Sequence, residues 1–170
     1  MVNEADVCHT LNELGIAYTR FAHPPVFNVA QARQYDTSEE GAAQRGEVHA
    51  KNLFLRNKRG DHYYLLVANE TRAVDLKALA QHLGETRLSL ASPERLAACL
   101  GVEPGAVSPF GLLNDASRQV VVLLDAALPG AGSVGFHPNV NTATLVISGA
   151  GLFRFLQFAA GRVEWIDFTV

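Results

Sequence analysis

Leu53-Phe54-Leu55 and Tyr63-Tyr64-Leu65-Leu66-Val67, flanking Asn57-Lys58-Arg59-Gly60-Asp61, are the stretch on which the fold turns. Two apolar, aromatic-rich runs around a short polar segment with a glycine predict a β-hairpin. The second run is apolar on both faces, so its strand should lie centrally in a sheet covered on both sides. Upstream, Asn3 and Asp6 have the spacing of a capping box. Val7, Leu11 and Leu14 then recur at helical intervals, and Gly15 is placed to stop the helix. Residues 16–22 alternate like a short strand, and His23-Pro24-Pro25 breaks it. A second helix is expected over about 28–35, followed at 36–46 by a polar loop or short helix. Downstream, Leu76, Leu79, Ala80 and Leu83 form a helical face closed by Gly84. Ser92-Pro93-Glu94 opens another helix, with serine at the N-cap and proline in the first turn, and Gly101 ends it. Val120–Leu124 and Thr142–Ile147 read as buried strands, Leu152–Ala159 as a helix, and Val163–Phe168 as β. Helices and strands alternate irregularly, without repeat or linker. The expectation is one compact α+β domain over residues 1–170, a mixed sheet with helices packed around it.

The composition, 48% apolar and 18% charged over 170 residues, is that of an ordinary globular domain. No apolar run reaches the roughly 20 residues of a membrane span, and the acidic start, Met1-Val-Asn-Glu-Ala-Asp, lacks a secretory pattern. A cytoplasmic protein without membrane contact is expected. Cys8 and Cys99 have no C-x-x-C partner and sit among apolar residues, as buried small hydrophobes do. The net charge of −3 argues against indiscriminate binding to nucleic acid. It is unevenly spread: residues 1–50 carry −4, residues 51–87 carry +3 and the rest −2. Any anionic partner should therefore meet the middle third, where Arg56, Lys58, Arg59 and Arg87 lie.

Three places could carry chemistry. On an extended strand Lys51 points with Leu53 and Leu55, and Asn52 with Phe54. With the leucine face inward, the ammonium sits at the rim of an apolar pocket, suited to an anionic or carbonyl-bearing substrate; a lysine reaching into water is the plainer reading. Gly105-Ala106-Val107-Ser108-Pro109 combines a permissive residue with one that offers no N–H. Such a loop can aim successive amides at one anion, as an oxyanion hole requires. Ser108 would either bind substrate or tie the loop together. Phe136-His137-Pro138-Asn139-Val140-Asn141-Thr142 packs an imidazole, two carboxamides and a hydroxyl just before a buried strand. These groups could read ester, amine or ribose groups, or only build turns. The histidines have no paired metal-ligand spacing. A G-x-S-x-G elbow, a P-loop and G-x-G-x-x-G are absent.

Together, Ala50-Lys51-Asn52-Leu53-Phe54-Leu55, Tyr63-Tyr64-Leu65, Gly105-Ala106-Val107-Ser108-Pro109 and Phe136-His137-Pro138-Asn139 resemble the YbaK/prolyl-tRNA-editing domain family. The similarity runs over essentially the whole chain. His23-Pro24-Pro25-Val26-Phe27 and Asn141-Thr142-Ala143-Thr144 are most similar to the single-domain alanyl-tRNA(Pro) deacylases. The resemblance implies a mixed, partly barrel-like sheet surrounded by helices, and hydrolysis of the ester between a mischarged amino acid and the terminal adenosine. It implies that Lys51 is the essential lysine and that the Gly105–Pro109 amides stabilise the tetrahedral intermediate. It further implies that His137 lines the pocket, with Asn52, Asn139 and Asn141 as further substrate contacts. Val26 and Phe27 would wall a pocket too small for proline. No metal or organic cofactor is implied, and the attacking water would be placed with help from the substrate's own ribose hydroxyl. The implied partners are the acceptor end of mischarged tRNA(Pro), met by Arg56, Lys58, Arg59 and Arg87, and prolyl-tRNA synthetase; DNA is not one. Two alternatives stay open: a cysteinyl-tRNA(Pro) deacylase, and a non-catalytic module that binds tRNA or synthetase.

Overall fold

In the computed structural model the described residues are 1–25 and 47–168. The helix expected over about 28–35, the segment 36–46, and Val26 and Phe27 lie outside them. The predicted hairpin is β2 (Glu47–Asn57) and β3 (Tyr63–Asn69), paired antiparallel from Ala50↔Asn69 to Arg56↔Tyr63. β3 is buried along Tyr63–Ala68, and the two faces feed different cores. Phe54, Tyr63, Leu65 and Val67 join the larger cluster; Leu55, Tyr64, Leu66 and Ala68 join the smaller. Leu55, Leu65 and Leu66 are fully buried, each contributing about 2 kcal/mol in transfer free energy. This two-sided burial is what the apolar run of β3 predicted.

The other strands are β1 (Tyr18–Ala22), β4 (Leu88–Leu90), β5 (Val120–Asp125), β6 (Ser133–Phe136), β7 (Ala143–Ile147) and β8 (Arg162–Ile166). Their order is β1-β7-β6-β2-β3-β5-β8, with β4 on β2. β3, β5 and β8 run parallel, as do β2 and β6; the remaining pairs are antiparallel. The sheet is mixed, as expected. Among the described residues it does not close, so in place of a partly barrel-like sheet there is an open one ending at β1 and β8.

The helices are α1 (Glu4–Glu13), α2 (Leu76–His82), α3 (Pro93–Leu100) and α4 (Gly149–Ala159). The Asn3/Asp6 capping box forms in both directions, at 2.9 and 3.0 Å. Ser92 caps α3 with Pro93 in its first turn, and Gly101 ends it in the left-handed region (φ 64°). Cys8 and Cys99 are only partly buried, packed at the margin of the larger core.

β2 is the strand that makes the site. One edge is taken by β3. The other pairs in parallel with β6 over Glu47–His49 and antiparallel with β4 over Leu55–Asn57. Between them, Ala50–Leu53 have no strand partner on that edge among the described residues. β6 and β4 therefore diverge around a window. β6 leads out of it into His137, and β4 leads through α3 into the Gly105–Pro109 loop.

Candidate active site

Residues that pair across strands point to the same side of a sheet. Glu47 and His49 therefore share a face with Ser133 and Gly135, and Lys51 follows them along β2 on that face. The pairing ends at His49↔Gly135, and His137 lies just beyond the end of β6. The opposite face carries Val48, Val134 and Phe136 into the larger core. The leucine face of β2 is inward, the condition on which the pocket-rim reading of Lys51 depends: Leu55 is buried and Leu53 packs beside it in the smaller core. Lys51 stands half-buried at its rim, and its Nζ donates to the carbonyl oxygen of Arg72. Asn52 shares the opposite face with Ala50 and Phe54, and its buried Oδ1 accepts no hydrogen bond among the described residues.

The second and third predicted pieces are one unit. Ser108 is fully buried, and its hydroxyl donates to the His137 carbonyl at 2.7 Å while accepting from the Phe110 amide at 3.2 Å. Its side chain ties the loop and is not open to substrate. His137 Nδ1 lies 2.8 Å from the Gly105 carbonyl. A carbonyl only accepts, so Nδ1 carries the proton and Nε2 of the neutral ring is a bare acceptor. Burial lowers the His137 pKa, the Gly105 contact opposes that, and the neighbouring His23 adds to it. The ring is thus neutral at neutral pH.

Gly105 has φ 94°, a conformation open to glycine. Not every amide of the loop can serve an oxyanion. Ala106 N–H is spent on the Glu103 carbonyl at 3.0 Å and is removed from the predicted donors. Pro109, fully within the loop's buried end, has none to give. The Val107 and Ser108 amides make no hydrogen bond among the described residues. These two successive donors are the ones free to meet an anion.

Asn139 adopts φ 61°, with its N–H turned back to the His137 carbonyl at 3.0 Å around Pro138. Its Nδ2 donates to Val2 O at 3.1 Å, so half of this predicted substrate contact anchors the N-terminus; its buried Oδ1 has no partner among the described residues. Asn141 is half-buried in the same segment. The four basic residues gather at the far end of the ladder. Arg56 pairs with Ser89, and Asn57 with Leu88, which brings Arg87 beside the hairpin. Lys58, Arg59 and Arg87 are exposed, and Arg59 meets Asp61 at 3.1 Å. Lys58 lies about 20 Å from Lys51, from the rise of an extended chain.

Sequence reasoning passed over two neighbours of the site. His23 Nδ1–H donates to Pro24 O, and its Nε2 accepts the Thr144 hydroxyl, both at 2.9 Å. Its ring centroid is 5.7 Å from that of His137. A histidine directly before two prolines, and a threonine alternating with core residues on β7, were the available signals. Four-residue β6 went unread because Val134 and Phe136 alternate with Ser133 and Gly135 too briefly to register.

A window in a sheet, a lysine at its rim, paired free amides and an unprotonated imidazole nitrogen suit attack on a carbonyl. The family model of the aminoacyl-tRNA editing domain matches residues 32–155, and the chain belongs to that family. Prolyl-tRNA editing protein ProX of Acetoanaerobium sticklandii is 42% identical over 157 residues, covering 92% of each chain. Prolyl-tRNA synthetase associated domain-containing protein 1 of Danio rerio is 34% identical over 149 residues, 86% of this chain and 77% of that one. A solved structure proposed to be a trans-editing enzyme for prolyl tRNA synthetase superposes with a TM-score of 0.69 at 18% identity, covering 96% of this chain and 95% of that one. That last likeness concerns the fold alone.

Proposed function

We propose that this protein is a free-standing deacylase that hydrolyses the ester of mischarged tRNA(Pro), with alanine as the amino acid removed. The observation that carries the reading is the joining of the Gly105–Ser108 loop to His137 through the Ser108 hydroxyl and the Gly105 carbonyl. In this reading two amides without a partner among the described residues, the unprotonated imidazole nitrogen and the Lys51 ammonium serve one substrate. Water adds to the ester carbonyl carbon. The developing oxyanion is held by the Val107 and Ser108 N–H groups, which need no reorganisation as charge appears. Lys51 holds the substrate by its negative or carbonyl oxygens. His137 Nε2 accepts from the water or from the ribose hydroxyl beside it. The C–O bond to the ribose then breaks, the ribose oxygen takes that proton, and the amino acid leaves as its acid, which loses the water's second proton to solvent and becomes the carboxylate.

A synthetase pocket shaped for proline cannot exclude alanine by size, because missing methylenes supply only about 1–3 kcal/mol of discrimination. A second, smaller site on a separate chain removes the error. The basic end near Lys58, Arg59 and Arg87 would receive the tRNA backbone, and prolyl-tRNA synthetase is the natural second partner; the site of action would be the cytoplasm. The 42% identity to a prolyl-tRNA editing protein supports the tRNA, and the His23–Phe27 and His137–Thr144 segments support alanine. The test is single-turnover release from tRNA(Pro) carrying alanine, cysteine or proline. Loss of alanine alone is expected. Loss of cysteine instead would change the substrate and keep the chemistry. Binding without release from any of the three would replace the enzyme with a binding module.

A further inference from the structure

The mechanism leaves unexplained why a carboxylate is buried at the end of an otherwise apolar strand. Asp125 closes Val120-Val-Val-Leu-Leu and is 1% exposed. An ion there is tolerated only with partners. Its Oδ2 accepts from Asn69 N–H and from Arg72 Nε, both at 3.1 Å, and its Oδ1 accepts from Ala127 N–H at 3.0 Å. Two of these three donors flank one turn, Asn69-Glu70-Thr71-Arg72, which leaves the end of β3. The turn is closed by Arg72 N–H on the Asn69 carbonyl at 3.0 Å, and by the Asn69 side chain, which accepts from the Thr71 amide and hydroxyl. The Arg72 guanidinium is further confined over the Phe168 ring, 5.8 Å from its centroid. The carbonyl that this turn presents is the one that accepts Lys51 Nζ.

We propose that Asp125 and Arg72 are positioning residues for Lys51: the buried ion pair locks the β3 turn so that the Arg72 carbonyl fixes the lysine ammonium at the window. The inference rests on the catalytic reading above only for the purpose of that lysine. Arg72 acts through its main chain, so substitution cannot delete the contact itself; it can delete what holds the carbonyl in place. Lysine is a flexible four-carbon stem with three donors. One donor fastened to a rigid carbonyl leaves two aimed at substrate, and misplacement by about 1 Å at such a site costs up to about 100-fold in rate.

Lys51, Lys58 and Lys77 are the only lysines in the chain, so the other two serve as internal references. The experiment is competitive lysine acylation by a small anhydride, read residue by residue by mass spectrometry on Asp125→Asn and Arg72→Gln. Single-turnover deacylation and tRNA affinity are measured on the same samples. The expected result is faster labelling of Lys51 relative to Lys58 and Lys77 in both variants. The chemical rate should drop by about tenfold or more, with affinity nearly unchanged. Arg72→Lys, which keeps a cation for Asp125, should recover part of both. Should Asp125→Asn not fold, Arg72→Gln alone decides, because the Arg72 side chain is partly exposed. Unaltered Lys51 labelling and rate in a folded variant would overturn the proposal. Altered labelling in a protein that releases no amino acid would keep the positioning and reject the deacylase.

Discussion

The two ends of the β2–β3 ladder are built from similar polar groups and treat them differently. At the hairpin end Asn57 is 2% exposed and all its hydrogen-bonding capacity is used. Its Oδ1 accepts from the amides of Gly60, Asp61 and His62; its Nδ2 donates to Asp61 and Glu85. Glu85 in turn accepts from the Tyr64 hydroxyl at 2.6 Å and meets His62 Nδ1 at 2.8 Å. At the window end, among the described residues, the Oδ1 atoms of Asn52 and Asn139 are buried without a partner, His137 Nε2 is a bare acceptor, and two loop amides are unspent. Leaving a buried polar group unsatisfied costs about 1–3 kcal/mol. A fold that satisfies one end fully and tolerates several such groups at the other supports the proposal that the second end receives a ligand. Completed networks specify the hairpin; the open ones are where the proposed site lies.

That contrast can be broken by substitution. His137→Ala removes the acceptor and the tie to Gly105, so the single-turnover rate should fall by about 100-fold. Stability should drop by no more than about 1.5 kcal/mol, the worth of one hydrogen bond, as read by urea unfolding. Asn57→Ala should do the reverse. With three amides and Glu85 losing their partner, unfolding free energy should fall by about 2–3 kcal/mol, while the rate of the folded fraction stays close to wild type. A variant that reversed these two profiles would end the distinction between the ends.

Acid should separate them too. The His137 pKa is lowered by burial, so its neutral form persists somewhat below the ordinary value of about 6.5 and is lost as pH falls further. The Glu85 pKa is lowered by the Tyr64 and His62 hydrogen bonds. A depressed carboxyl stabilises the fold above its unfolded pKa of about 4.3, and that contribution fades as pH falls through the folded value. The deacylation rate should therefore decline on acidification as His137 takes up a proton, and the melting temperature should fall as Glu85 does. Simultaneous loss would put both in one network. The smallest effects belong to the exposed basic cluster. Lys58→Glu or Arg59→Glu should weaken tRNA binding severalfold and flatten its salt dependence by about one phosphate contact each. The rate at saturation should not change.

The sequence made the local devices legible and the long-range ones not. The Asn3–Asp6 box, the Ser92-Pro93 start and the two-sided burial of β3 are written in short spacings, and all are present. Lys51, the Gly105 loop and His137 read as separate pieces; the joining of the loop to His137 follows the end of β6, whose four residues carry too little pattern. Ser108 as a tie, the inward turn of the Ala106 amide and the Asn139–Val2 bond depend on backbone geometry that no spacing encodes. Asp125 did leave a signal, an acid closing a run of five apolar residues, but its partners at Asn69 and Arg72 lie more than 50 positions away.

The most direct test of the account is the rate of alanine release from alanyl-tRNA(Pro) by wild type and Lys51→Ala under single-turnover conditions, beside their melting temperatures. The account predicts rapid release by wild type, a loss of about 100-fold or more in the variant, and nearly equal melting. Release that is unchanged when Lys51 is removed, in a protein that melts like wild type, would contradict it.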